Sequence, residues 1–263
     1  MSDEFVSHGI ALDAEGMSQA LDVLKVGATE LWSVLSVETS GIGFFPDRRP
    51  KILYEQHVFS RLTAHRYDTS NADISHPKPG NYGATGSHQY DRLFAAIKLD
   101  REAALQSTSW GLGQTMGFNF ADTGASSVED MVNRMIHAEN DQLLCTANQM
   151  ANSGEVKALR ARDWTSFARS YNGPNFAMNN YDSRLRAAFS SFSFGGTPDL
   201  KVRAAQIYLI YLDYFPGTVD GILGKRTRDA MNLFQAKEAI RETMSLDDGT
   251  LARLVLRVNA LPL

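Results

Sequence analysis

A mainly α-helical protein built of two unequal parts is what this sequence predicts, on three observations. Apolar residues recur at helical spacing through most of the chain, the spacing lapses over an irregular stretch at residues 41–86, and a second lapse near residue 195 sets off a short helical tail. A length of 263 residues suits one large domain followed by a small one. Hydrophobic residues at 43% and charged residues at 21% supply a sizeable core and exclude a disordered or fibrous chain.

The first helix is predicted from near Asp13, with Met17, Ala20, Leu21 and Leu24 on one face and Gly27 as its stop signal. The second, from near Thr29, stacks Leu31, Val34, Leu35 and Glu38 in one row before Ser40-Gly41 ends it, so a carboxylate holds the last place of an apolar stripe. Residues 41–86, rich in Gly, Pro, Asn and His, carry only a short regular piece around 52–62. A loop that long inside a compact domain is more often functional than idle.

Helices are predicted again at 90 to about 107 and at 127 to about 150, the second opened by the capping pattern Ser127-x-x-Asp130. Asp163 caps another, which turns Trp164, Phe167, Ala168 and Tyr171 inward and closes at Asn172-Gly173-Pro174. A last helix of this part runs from about 180 to 189 through Leu185. The run from Ser190 to Pro198 combines small residues with Gly195-Gly196 and a proline, and reads as a linker between domains of residues 1–194 and 197–263.

The formal charge of -4 gives no broad basic field, which argues against nucleic acid as a partner. No apolar run approaches a membrane span, and the acidic start Met1-Ser2-Asp3-Glu4 lacks the regions of a signal peptide. The expectation is a monomer made in the cytoplasm that does not engage a membrane. Cys145 is the only cysteine, so an internal disulfide is excluded, and it reads as a small buried apolar residue.

Glu38 is the first candidate for chemistry. At the end of an apolar stripe and beside a loop-rich wall, its carboxyl is expected to be desolvated, which raises its pKa towards the value a proton donor needs. The alternative is a surface glutamate at a frayed helix end. Three strings keep it company in order: Val37-Glu38-Thr39-Ser40-Gly41, Gly111-Leu112-Gly113-Gln114-Thr115-Met116-Gly117 and Ala168-Arg169-Ser170-Tyr171-Asn172-Gly173.

Their order resembles the three-motif signature of goose-type lysozymes and lytic transglycosylases. The longer strings from Gly43 to Phe59, Ser109-Trp110-Gly111-Leu112-Gly113-Gln114 and Tyr171-Asn172-Gly173-Pro174 are similar to the N-acetylmuramidase family of phage endolysins and prophage regions, over about residues 20–190. The resemblance implies a lysozyme-like α-helical domain in which Glu38 protonates a glycosidic oxygen. Thr39 stands where that family often has Ser, and Gly113 where it usually has a bulky apolar residue, a departure expected to alter cleft shape.

An oxocarbenium-like transition state needs a second group, a nucleophile or a base for water. Glu55, in Ile52-Leu53-Tyr54-Glu55-Gln56-His57, is the candidate, and the resemblance keeps a Glu there. The competing reading makes Glu55 a brace for Arg48, Arg61 or loop backbone; Asp47 is a weaker candidate and a better turn former. Tyr82, Gln114, Tyr171 and Asn172 are candidate sugar-binding groups, by hydrogen bonding and stacking, with Tyr171 also suited to the core. His57, His65, His76 and His88 fit no zinc-ligand spacing, and neither metal nor cofactor is expected.

In the tail, the run from Phe215 to Gln235 is similar to the core of the three-helix peptidoglycan-binding domain of cell-wall hydrolases. Thr227, Ala230, Met231 and Phe234 are predicted to face Leu200 and Ala205 before them and Leu251, Leu254 and Val258 after them. Gly217, Gly221 and Gly224 allow the tight loop, in which Asp220 can bond its own backbone.

Together the two resemblances imply a peptidoglycan hydrolase that cuts the β-1,4 bond between N-acetylmuramic acid and N-acetylglucosamine, made in a host bacterial cytoplasm and reaching the wall after holin-dependent release. A lytic transglycosylase, which forms 1,6-anhydro ends with the Glu alone, and a non-catalytic wall-binding phage structural protein are the alternatives.

Overall fold

The computed structural model describes residues 4–172, 180–243 and 245–263. Helices α1 (Ala14–Leu24) and α2 (Ala28–Thr39) open the chain, with the Asp13 side chain capping α1 by accepting from Gly16 N at 2.9 Å. Strand β1 (Ile52–Tyr54) leads into α3 (Gln56–Leu62), and α4 (Gln89–Ile97) and α5 (Arg101–Gln106) follow. Strands β2 (Thr108–Trp110) and β3 (Thr115–Met116) join β1 in an antiparallel sheet ordered β1-β2-β3, with Leu53 opposite Ser109 and Ser109 opposite Met116. The string Gly111-Leu112-Gly113-Gln114 is therefore the turn of the β2–β3 hairpin, with Gly111 at φ 71° and Gln114 at φ 52°.

Next come α6 (Val128–His137), α7 (Glu139–Ser153), α8 (Glu155–Ala161), α9 (Trp164–Asn172) and α10 (Tyr181–Gly195). The tail contributes α11 (Leu200–Tyr211), α12 (Lys225–Lys237) and α13 (Asp248–Asn259).

Three expectations need correction. The helix expected at 90–107 is two, because Asp100 caps a new start by accepting from Ala103 N at 3.0 Å. The helix expected at 127–150 breaks at Ala138, which is extended at φ -157° and bridges Ile10. Residues 190–195, expected as linker, continue α10, because Phe192 packs on the core; the break falls at Gly196, φ 82°.

Two cores make up the large part. One gathers Leu31, Leu35, Leu143, Met150, Phe167 and Leu185 from α2, α7, α9 and α10, with Leu24 of α1 and Leu159 of α8. The other gathers Tyr54, Phe59, Tyr90, Trp110 and Met131 around the sheet and α3 to α6. Helix α7 serves both, with Leu143 and Ala147 in the first and Cys145 in the second. The tail has its own core, Leu209, Met231, Phe234 and Leu254 among its members, and Ala11 and Phe44 of the large part belong to it. Buried Gln206 fastens the tail's loop: its amide oxygen accepts from Asp220 N and Gly221 N, while Asp220 Oδ1 accepts from Ile222 N at 2.9 Å.

A fully buried ion pair joins the two parts. The Arg203 guanidinium on α11 donates to both Glu139 carboxylate oxygens at 2.7 and 2.8 Å and to the Gly41 carbonyl at 2.9 Å. The same carboxylate accepts from Leu12 N at 2.8 Å and Gly43 N at 2.7 Å. Removing one member of such a pair strands a buried charge, which costs about 3–5 kcal/mol. Arg203→Ala is expected to lower the denaturant midpoint by an amount of that order, and Glu139→Gln with Arg203→Met together to lower it less; a double variant no better than the single one would contradict this account.

Candidate active site

Glu38 stands in the last turn of α2, where the chain reverses at Ser40, φ 56°. The row that carries it is buried at Leu31, Val34 and Leu35, so the carboxyl emerges from the core into the cleft rather than from a solvated face. Burial pushes its pKa from the usual 4.5 to about 7, against the opposing pull of a hydrogen bond donated by the Tyr181 hydroxyl and of the Arg184 charge. Arg184 itself donates to the Val37 carbonyl at 2.9 Å. Thr39, in the place of the expected Ser, is buried and donates to the Leu112 carbonyl at 2.8 Å, tying the end of α2 to the β2–β3 turn.

Glu55 immediately precedes α3, and its side chain makes no cap hydrogen bond there. Its backbone N–H is held by the Ser107 carbonyl at 2.9 Å, beside the sheet. Burial raises its carboxyl to about 7, with a hydrogen bond from the Tyr82 hydroxyl and the Arg92 charge pulling the other way. Arg92, not Arg48 or Arg61, is thus the guanidinium acting on Glu55. Oε2 of Glu55 lies 3.1 Å from Nδ1 of His57 without making a hydrogen bond to it, and neither atom has another partner among the described residues.

Two cavities meet at Glu38. One of about 530 Å³ is lined by Glu38, Glu55, His57, Gln114, Phe118 and Tyr171 among others. The second, about 350 Å³, is lined by Glu38, Phe45, Lys51, Tyr82 and Gln114. Glu38, Leu53 and Gln114 border both, so the two form one groove with Glu38 at its middle.

The remaining residues singled out from sequence differ in what they offer. Tyr82 is 37% exposed and spans the groove, lining the smaller cavity while its hydroxyl reaches Glu55. Gln114 lines both cavities, yet its amide is engaged with Lys51 O at 3.2 Å, Gly111 O at 2.9 Å and Ser109 Oγ at 2.9 Å, so it shapes the wall. Tyr171 does two jobs, stacking on Phe167 and donating to the Gly113 carbonyl at 2.5 Å. Gly113 does not shape the cleft as expected, because a Cβ there would run into the buried Thr146 side chain. The Asn172 side chain, with Gly173 and Pro174, lies outside the described residues. Asp47 is a turn former, its carboxylate taken by Arg49 at 2.6 Å.

Sequence reasoning missed Tyr181, Arg184 and Arg92. Each belongs to an ordinary helix face, and Tyr181 meets Glu38 across 143 positions, a proximity no local pattern announces.

A half-buried carboxyl at the centre of a groove, with a second one lining the same cavity, is an arrangement that acid–base cleavage of a glycosidic bond can use. Residues 27–193 match the N-acetylmuramidase family and residues 199–254 the putative peptidoglycan binding domain. The chain belongs to the N-acetylmuramidase family, as an endolysin-type enzyme with an appended peptidoglycan-binding domain. A crystal structure of the Burkholderia AP3 phage endolysin is similar at 35% identity and a TM-score of 0.64, with 71% of this chain and 72% of that one covered. No curated protein matches.

Both carboxyls have pKa values raised from 4.5 to about 7, so folding favours their protonated forms. The stability this contributes is complete below about pH 4.5 and is lost as pH rises through about 7. Glu38→Gln, uncharged throughout, is expected to raise the melting temperature relative to wild type at pH 8.5 and to leave it level at pH 5. Equal shifts at both pH values would mean that Glu38 is not ionising from a desolvated site.

Proposed function

We propose that this peptidoglycan hydrolase is a muramidase that cleaves the β-1,4 bond between N-acetylmuramic acid and N-acetylglucosamine, with residues 1–194 as its catalytic domain and 197–263 as its wall-binding domain. Glu38 is the general acid: with its pKa raised to about 7 it keeps a substantial protonated fraction at neutral pH, and that form gives its proton to the glycosidic oxygen as the bond to the muramic acid anomeric carbon breaks. Glu55, in its ionised form, takes a proton from the water that attacks that carbon. Atoms balance as one water consumed, a reducing muramic acid end and a free 4-hydroxyl formed.

The observation that carries this reading is the second carboxyl. Glu55 lines the same cavity as Glu38 and keeps an oxygen without a hydrogen-bond partner. A transglycosylase, in which the muramic acid 6-hydroxyl attacks, has no use for such a group. Tyr82 and Tyr171 supply faces and edges for sugar rings on the two sides of Glu38, and Asn172 follows Tyr171 in sequence. No helix among the described residues is long and apolar enough to cross a membrane. Release to the wall by a holin, and action as a monomer, complete the proposal.

Mass spectrometry of soluble fragments from purified peptidoglycan tests it. Wild type is expected to release reducing muramic acid ends, and Glu38→Gln and Glu55→Gln each to lose about 10²–10⁴-fold in rate, the range that acid–base groups supply. Anhydro ends, with Glu55→Gln fully active, would replace hydrolysis by transglycosylation. The rate is also expected to peak near pH 7, because Glu38 must keep its proton and Glu55 must lose one. Tyr181→Phe, which removes a bond favouring ionised Glu38, is expected to move the alkaline limb to higher pH.

A further inference from the structure

A third cavity, of about 870 Å³, opens on the tail and is bounded by Pro46 of the large part together with Tyr214, Phe215, Leu233, Asp213 and Arg226. Its character differs from the catalytic groove. Phe215 is 88% exposed and Leu233 66%, in a domain whose other large apolar side chains mostly face its core. Exposed apolar groups gathered in one concavity mark a binding surface rather than chance exposure. Within the same concavity Arg226 and Asp213 are exposed, and neither forms an ion pair or side-chain hydrogen bond among the described residues. A free guanidinium and a free carboxylate set in an aromatic and aliphatic wall suit an extended ligand that carries both signs of charge and small apolar groups between them.

We propose that this cavity binds the stem peptide of peptidoglycan, with Arg226 taking a carboxylate, Asp213 an ammonium, and Phe215 and Leu233 the alanyl methyls. This rests on the proposed reading of residues 197–263 as a wall-binding domain. Charge decides between the two halves of the polymer. Glycan is uncharged once its lactyl groups are amide-linked, whereas the stem peptide ends in a carboxylate and carries a diamino acid. A guanidinium fork recognises a carboxylate through paired hydrogen bonds, which an uncharged sugar cannot repay.

Position adds a second argument. Pro46 lines this cavity and its neighbour Phe45 lines the groove beside Glu38, on the two sides of one tight turn closed by Phe45 N to Arg49 O at 2.8 Å. Glycan in the groove and a peptide in this cavity therefore sit against the same turn, so the domain reads peptide on material whose sugar is being cut.

The test uses the full chain carrying Glu38→Gln, so that ligands persist, with calorimetric titration of three probes: an isolated stem tetrapeptide ending in D-alanine and carrying a diamino acid, its C-terminal methyl ester, and glycan strands stripped of peptide with their lactyl carboxyls capped as amides. The tetrapeptide is expected to bind saturably, and Arg226→Gln or Phe215→Ala to weaken it by about ten-fold or more. The ester, tested on the unaltered cavity, is expected to lose as much as Arg226→Gln does, a comparison that needs no change in the protein. Peptide-free glycan is expected to bind with or without these substitutions. No saturable tetrapeptide binding by a protein whose wild type releases fragments normally would overturn this inference and leave the hydrolase reading intact. Loss of glycan binding instead of peptide binding in the two variants would make the cavity a sugar site and overturn it equally. A wild type that releases nothing fails the hydrolase reading itself.

Discussion

The fully buried pair of Glu139 and Arg203 is the interaction on which the arrangement of the chain depends. Taking both charges out of water costs several kcal/mol each, and only complete use of their atoms makes that tolerable. Here the use is complete on the carboxylate: its oxygens accept from Leu12 N, Gly43 N and two guanidinium nitrogens, while Arg203 also grips the Gly41 carbonyl and lies 5.5 Å over the Trp32 ring. Four segments thereby meet at one point: the start of the chain, the turn after α2, the start of α7, and α11. The turn after α2 begins two residues past Glu38, so the helix end that carries Glu38 is braced from the peptidoglycan-binding domain. A domain on a free tether raises local concentration at the wall without fixing direction. One locked by a buried ion pair also fixes the angle at which the groove meets the polymer.

That pair also marks where sequence reasoning stops. Ala138-Glu139-Asn140-Asp141 reads as a solvated stretch of helix, and Ala is a strong helix former, yet Ala138 is extended because Glu139 N is held by Ile10 O at 2.9 Å. Tertiary hydrogen bonding overrides propensity there, with partners 128 or more positions away that no window contains. The break before α5 is different, since its signal, Asp100 three residues ahead of Ala103, is local and was simply masked by the apolar period around it. The linker expected from small residues and paired glycines turned out to be mostly helix, since Phe192 found the core and only Gly196 found a positive φ.

At the site, what was legible was what local pattern encodes. A carboxylate at the end of an apolar row had to emerge through a core boundary, and Glu38 does. Glu55, Gln114 and Tyr171 were found because their strings resemble a known family, Tyr82 was singled out as a polar aromatic able to stack on sugar, and all four line the groove. The groups that tune the carboxyls were not, because Tyr181, Arg184 and Arg92 carry no mark except their place in space.

The two carboxyls are surrounded alike. Each is partly buried, each takes a tyrosine hydroxyl, and each feels one arginine: Tyr181 and Arg184 for Glu38, Tyr82 and Arg92 for Glu55. Similar surroundings give similar affinities for a proton, both raised to about 7, whereas an acid and a base acting together need theirs separated. On the proposed acid–base reading, the polarity of the substrate then separates them. Sugar filling the groove displaces water from both carboxyls, but it presents a glycosidic oxygen, a hydrogen-bond acceptor, to one and a water with an incipient cationic carbon to the other. The acceptor favours the protonated form of Glu38, and the growing positive charge favours the ionised form of Glu55. On that reading the assignment of acid and base is a property of the complex, fixed by which carboxyl faces the leaving oxygen.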